Sequence, residues 1–395
     1  MAGLWLLVVG TRLTGQSAPP GAPANLVEAV QQDSSIPTTA EPPLAALEAA
    51  LRRFGISIDS QLLVFSKTSL QVDRISASAP RAIFFADDIT VGYVQGGDME
   101  VAVFDPKDGL ALYTRAMSGT DRRFERHSFE CASCHGVTRL LLQSVTPARD
   151  GMPLLAFTGS ELPVAVDYRT PFEQRWGGWY VTGLHGALRH RGNAVAPDPL
   201  RPYDLDLSHN SNTTSLPDIV DRSRYLTPTS DIVALMTYEH QVITANALAR
   251  LNVLARRAPV SSPDVIGAID TLVGYLLFAG EAPLVSPVSG VSTFTTTFTA
   301  RGPFDKSGRS LRQFDLTTRL FRYRLSYMIY SAAFDALPQD FREAVYGRLF
   351  TALTTPTAGL AVWPEAERRA VLEIVRDTKT DLPEPWAHLS LDRDR

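Results

Sequence analysis

Leu62-Leu63-Val64-Phe65, Ala82-Ile83-Phe84-Phe85, Ile89-Thr90-Val91-Gly92-Tyr93-Val94, Val101-Ala102-Val103-Phe104 and Leu110-Ala111-Leu112-Tyr113 are short runs rich in β-branched and aromatic residues. Asp87-Asp88, Gly96-Gly97 and Asp108-Gly109 punctuate them. Runs of this length, broken by turn formers, predict an antiparallel hairpin or small sheet over residues 62–113. On either side the pattern is helical. Pro42-Pro43 opens a helix over 44–54, with Leu44, Leu47, Leu51 and Phe54 at helical spacing and Gly55 as its stop. Thr229-Ser230-Asp231 caps a helix reaching Leu254 or beyond. Further helices are expected over 264–278, 313–333, 338–353 and 364–377. The fold class that follows is mainly α with a small antiparallel β element.

The 395 residues suffice for one large or two ordinary domains. With 45% apolar and 20% charged residues, the chain is neither disordered nor low in complexity. A formal net charge of −4 argues against a nucleic-acid partner. The lysines are Lys67, Lys107, Lys306 and Lys379, so nearly all positive charge is arginine, which suits fixed carboxylate contacts. No apolar run is long enough for a membrane-spanning helix. Residues 1–41 read as a leader, with Leu4 to Val9 as the apolar core of a degenerate or truncated export signal and a flexible segment behind it. Residues 42–285 hold the β element and the main chemical signal, and residues 286–395 form a C-terminal helical region expected to pack on the same core.

That signal lies in the two cysteines of the chain, both within Cys131-Ala132-Ser133-Cys134-His135. This is the CxxCH spacing that attaches a c-type haem. Two intervening residues let both thiols reach the two vinyl groups from one helical turn, and the adjacent imidazole then meets the iron. A dithiol redox pair would sit near a βαβ pattern, and none precedes Cys131. Zinc would need two further ligands, for which His127, His185, His190 and His240 are available. A second axial ligand could come from His185 or His190, from His240, or from Met152 or Met236. Met236 and His240 are four apart on one face of a predicted helix.

Arg175-Trp176-Gly177-Gly178-Trp179-Tyr180 is a dense aromatic cluster, and Arg175, Trp176, Trp179 and Tyr180 are candidates for holding haem propionates through guanidinium, indole or phenol donors. Arg319, Arg322 and Arg324, interleaved with Phe321 and Tyr323, form a second set. Asp87-Asp88 reads as a turn before it reads as a calcium site. No phosphate-binding loop, dinucleotide fingerprint, HExxH or nucleophile elbow occurs.

At Cys131 to His135 the chain resembles c-type cytochromes. More broadly, Phe65-Ser66-Lys67-Thr68-Ser69-Leu70-Gln71, Pro80-Arg81-Ala82-Ile83-Phe84-Phe85, the haem motif, the 175–180 cluster and His185-Gly186 resemble bacterial cytochrome c domain-containing proteins over most of residues 60–380. The resemblance implies a cytochrome c-like haem-binding core with large additions, one covalently attached haem c, and a periplasmic or otherwise exported location. It supplies no substrate; the reading preferred from the motif is electron transfer through the haem with a redox partner protein. A peroxidase-like enzyme is the alternative, in which His185, His190 or His240 acts as acid and base over an open distal site with Arg189 or Arg191 stabilising charge. A haem-based sensor module is the third reading.

Overall fold

Strands Asp98–Asp105 and Gly109–Ala116 alternate buried and half-buried positions along their whole length, the signature of a sheet with two unlike faces. A computed structural model describes residues 26–31, 42–105, 109–118, 123–127, 139–154, 164–202, 204–207, 211–355 and 363–387. The strands are β1 (Leu62–Val64), β2 (Arg81–Ala86), β3 (Ile89–Tyr93), β4 (Asp98–Asp105), β5 (Gly109–Ala116), β6 (Glu125–His127) and, arriving much later in the chain, β9 (Trp179–Tyr180). They form one seven-stranded sheet in the order β6-β5-β4-β3-β2-β1-β9, antiparallel throughout. A two-stranded ribbon, β7 (Gln143–Ser144) with β8 (Val164–Ala165), lies apart from it.

Period-2 side-chain direction separates two apolar cores. Leu63, Phe65, Phe84, Val91, Met99, Val101 and Tyr113 face α1 (Leu26–Gln31) and α2 (Pro43–Arg53). Leu62, Val64, Ile83 and Phe85 face a larger helical layer. That layer comprises α3 (Ile232–Ala255), α4 (Pro263–Leu276), α5 (Phe294–Ala300), α6 (Ala332–Asp335), α7 (Gln339–Thr354), α8 (Glu365–Thr378) and α9 (Glu384–Ala387). Its core joins residues from both sides of position 286, including Leu248, Leu272, Phe298, Phe321, Val345 and Val375.

The expectation of a mainly α fold with a small β element and a cytochrome c-like core is therefore corrected: a seven-stranded antiparallel sheet organises the molecule. All five expected runs are strands, but β6 and β9 extend the sheet at its two edges. The helix expected over 313–333 is absent. There the Asp315 carboxylate accepts from the backbone N–H groups of Thr317, Thr318 and Arg319, at 2.8, 2.6 and 3.3 Å. Such local side-chain bonding offers the backbone an alternative to the helix. Leu316 adopts a left-handed φ of 58° in that turn.

The Asp87-Asp88 pair is the two-residue turn between β2 and β3. Burial alone would raise Asp87, but the guanidinium groups of Arg301 and Arg312 hold its carboxyl below the usual range. Asp88 accepts from the N–H groups of Ala332 and Ala333 at 2.8 and 3.0 Å, fastening the hairpin to α6.

Asp231 fixes the start of α3. Its Oδ1 accepts from Val233 N–H at 2.8 Å and Ala234 N–H at 3.3 Å, while Oδ2 accepts from Val291 N–H, Ser292 N–H and the Ser292 hydroxyl, each at 2.8 Å. A Cβ on Gly290 would lie 2.5 Å from that oxygen, so only glycine permits the approach. Asp231→Ala removes the helix cap and leaves the 290–292 backbone unpaired. Urea unfolding at pH 7 should show a loss of about 2–4 kcal/mol, from a cap worth roughly 1 kcal/mol and a buried donor group worth roughly 1–3 kcal/mol.

Candidate functional site

Arg175 begins a turn whose geometry few sequences allow. Trp176 has a φ of 67°, a conformation disfavoured for a bulky residue. A Cβ on Gly177 would meet the Val145 carbonyl oxygen at 2.0 Å. Gly177 N–H donates to Ser144 Oγ at 2.9 Å, and Val145 N–H donates to the Gly177 carbonyl at 3.0 Å. The turn is thus pressed onto the β7 segment.

Within it, the guanidinium of Arg175 is enclosed. Nε donates to Thr170 O at 2.6 Å, Nη2 to Tyr168 O at 2.6 Å and Nη1 to Glu239 Oε2 at 2.9 Å, and the group lies 4.0 Å from the Phe172 ring centroid. The two charged side chains are 2% and 0% exposed. Burial pushes the Glu239 carboxyl up to about 7 against the opposing pull of Arg175. The Trp176 indole N–H faces the same carboxyl without closing a hydrogen bond.

Trp176 also packs on His190, with ring centroids 5.1 Å apart, and His190 on His185 at 4.7 Å. The hydrogen bonds fix the tautomers. His185 Nε2 accepts from Asn212 N–H at 3.0 Å, so its proton is on Nδ1, which donates to Leu188 O at 3.0 Å. The 3.2 Å contact between the two Nε2 atoms then requires His190 to donate, leaving His190 Nδ1 unprotonated. That Nδ1 is buried without a hydrogen-bond partner. Burial lowers the His185 pKa and pushes His190 down to about 3, so both rings are neutral.

His240 occupies a separate aromatic environment on α3. Its ring stacks on Phe278 at 4.0 Å and meets the edge of Tyr168 at 5.3 Å. Nε2 is 2.7 Å from Ser326 Oγ, Nδ1 is buried and unpartnered, and burial pushes its pKa down to about 3.

The structure thus brings Arg175, Trp176, His185 and His190 together with Glu239. It does not gather the whole 175–180 cluster. Trp179 and Tyr180 are successive residues of β9 and point to opposite faces. Trp179 lies in the helical core and donates from Nε1 to Gln143 O at 2.8 Å. Tyr180 lies in the other core, stacks on Phe65 at 4.6 Å and donates to Ala77 O at 2.7 Å. Met236 is core, Met152 is 48% exposed, and His127 bonds Thr114 on the edge strand β6 at 2.6 Å. Cys131, Cys134 and His135 lie outside the described residues. Glu239 was missed in the sequence, although it is the sole acid in α3, an otherwise apolar helix.

Among the described residues no cluster of three or more His, Cys, Asp or Glu side chains could hold a metal ion, and no helix is long and apolar enough to cross a membrane. No protein-family model, curated protein or solved structure matches the chain.

Arg175→Met strands the Glu239 carboxyl in the core, and should cost about 3–5 kcal/mol in denaturant unfolding. Because the folded state holds the Glu239 proton more tightly than the unfolded chain does, this group favours folding at low pH. Its contribution declines as pH rises from the ordinary glutamate range through about 7. Glu239→Gln should flatten that part of the stability profile. Long-range nitrogen-proton correlation spectra should show His185 with its proton on Nδ1 and His190 on Nε2, with His190 staying neutral down to about pH 5 and His185 titrating below the ordinary histidine range.

Proposed function

We propose that the chain is an exported, periplasmic monohaem c-type protein that transfers electrons to and from a partner protein. One observation carries this reading: the two cysteines of the chain occur together in Cys131-Ala132-Ser133-Cys134-His135. Cys131 and Cys134 hold the haem through thioether bonds, and His135 is the proximal ligand. When bound, haem c supplies a one-electron iron couple whose potential depends on its axial ligands, burial and surrounding hydrogen bonds.

The described residues on either side of the motif support the reading. His127 ends β6 on the sheet edge. Leu140 is tied to α3, its N–H donating to Asn246 Oδ1 at 2.7 Å and its carbonyl accepting from Asn246 Nδ2 at 2.9 Å. His135 is five residues before Leu140 in the sequence. The next segment, Gln143–Ser144, bonds directly to Trp179 and Gly177. The described segments before and after the motif thus lie at a sheet edge, on the buried helix and against the 175–180 turn.

The donor set also fits a haem protein. Neutral imidazole is the ligating form, and His185, His190 and His240 are all held neutral by burial. His185 spends both ring nitrogens on protein partners, whereas His190 and His240 each keep an unpartnered Nδ1. His190 is accordingly the stronger candidate for a sixth ligand, since the His240 ring is sealed between Phe278 and Tyr168. Arg175 spends its donors inside the protein and positions Glu239 rather than a propionate.

Protein produced with a cytochrome c maturation system should retain haem after acid–acetone extraction. Cys131→Ala with Cys134→Ala should lose it. Sharp low-spin bands, unmoved by carbon monoxide after reduction, are expected for electron transfer. High-spin bands that shift with carbon monoxide would replace that role with the open-site, peroxidase-like or sensor reading. A matured chain without covalent haem overturns the proposal.

A further inference from the structure

We propose that the pocket between the C-terminal end of α4 and the Thr318–Arg324 segment binds a small organic carboxylate carrying an apolar body. The proposal is independent of the haem reading. The pocket has a volume of about 300 Å³, within the range that admits a small ligand, and its walls include Phe278, Glu281, Thr318, Arg319, Arg324 and Trp363.

Arg324 is the receptor. Its Nε lies 3.7 Å from Glu367 Oε1, and its guanidinium carbon is 5.4 Å from the centre of the Trp363 ring. Neither terminal nitrogen has a hydrogen-bond partner among the described residues, so the two-pronged edge that matches a carboxylate is unspent. Arg319 stands beside it, with Nε donating to Phe321 O and Nη2 to Arg322 O, both at 2.9 Å, and Nη2 also 3.1 Å from Glu367 Oε1. Its Nη1 has no partner among the described residues. The two side chains are 18% and 25% exposed, so these guanidinium groups belong to a wall rather than to a solvated surface. Glu367 holds both in place.

The charge balance selects an anion. Glu367 offsets one of the two guanidinium charges. Glu281 accepts from Leu320 N–H at 2.9 Å, and burial raises its carboxyl above the ordinary range, which weakens it as the second counter-charge. The apolar faces of Phe278 and Trp363 favour an organic body. Inorganic phosphate has no body to place against those faces. Strain points to the same place: Phe278, in the pocket wall, holds a left-handed backbone with a φ of 53°. Residues held in such conformations cluster at ligand clamps.

The test is calorimetric titration of the purified full-length protein with acetate, benzoate, phenylacetate and indole-3-acetate, with benzamide and inorganic phosphate as comparators. Saturable one-to-one binding of an aromatic carboxylate is expected, with benzamide failing to saturate and phosphate weaker. Arg324→Gln should weaken the best carboxylate by about tenfold or more, the worth of one charge-assisted contact. Trp363→Leu, with an unchanged melting temperature, should weaken benzoate more than acetate. Failure of all four carboxylates in the millimolar range overturns the proposal. So does tighter binding of phosphate, equal binding of benzamide, or undiminished binding by folded Arg324→Gln. If Arg324→Gln does not fold, the benzoate–benzamide comparison on the unaltered chain decides.

Discussion

Helix α3 is buried on nearly every side, so each polar group it carries must be satisfied from within the protein. Its apolar residues point in all directions, as expected for a helix without a solvent face. Hydrophobic burial holds such a helix inside but does not fix its rotation or register, because that force has no direction. The polar side chains supply direction. Asp231 fixes the start, Glu239 meets Arg175, and His240 meets Ser326. Gln241 donates to Ala86 O at 2.7 Å and accepts from the Tyr327 hydroxyl at 2.9 Å. Asn246 ties to Leu140, and Asn252 donates to Ala333 O at 2.9 Å. Together the bonds reach Ala86 on the sheet, Leu140, Arg175 and the 326–333 segment. One helix thereby sets the sheet, the 168–193 loops and the C-terminal layer relative to one another.

This arrangement determines the electrostatics of the candidate site. Low polarity in the core keeps His185, His190 and His240 uncharged and leaves Glu239 balanced between its two protonation states. A buried ion pair of this kind adds little net stability, since desolvation offsets most of its attraction. Its structural effect is positional: Arg175 reaches two backbone carbonyls as well as Glu239, so one guanidinium holds the 168–176 loop against α3. Trp176 and His190 are then stacked where few other side chains would fit.

What the sequence disclosed follows from which forces are local. The strands were legible because period-2 alternation and the Asp87-Asp88 and Gly96-Gly97 turns are written in adjacent residues. The helix over 339–354 and that over 365–378 were legible for the same reason, within a residue or two. The size of the sheet was not, because β9 pairs with β1 across more than a hundred residues. Residues 313–333 contain apolar spacing compatible with a helix, and one carboxylate, that of Asp315, overrode it locally. The 175–180 cluster looked like one site because its aromatic residues are consecutive. The pleat of β9 sends Trp179 and Tyr180 to different cores, and only knowledge of the strand could reveal that. The CxxCH pattern is the opposite case, complete in five residues that lie outside the described ones.

Phe278 links the two regions to which chemistry is assigned. Its left-handed backbone turns the ring onto His240, while the same residue forms a wall of the arginine pocket. Along α3, His240 and Asn246 are about 9 Å apart, at 1.5 Å rise per residue, and Asn246 anchors the chain leaving the haem motif. A charge beyond Phe278 therefore acts on His240 across a packed, low-polarity core rather than through solvent. Coulomb attraction survives in such a medium better than in water, but Arg319, Arg324 and Glu367 compensate much of it at the source. Any strong coupling between the pocket and His240 would then have to be mechanical, carried by the Phe278–His240 stack. A stack sealed between Tyr168, Phe321 and Tyr327 has little room to shift. The physical expectation is that the pocket and the surroundings of His240 share the Phe278 ring and respond largely independently.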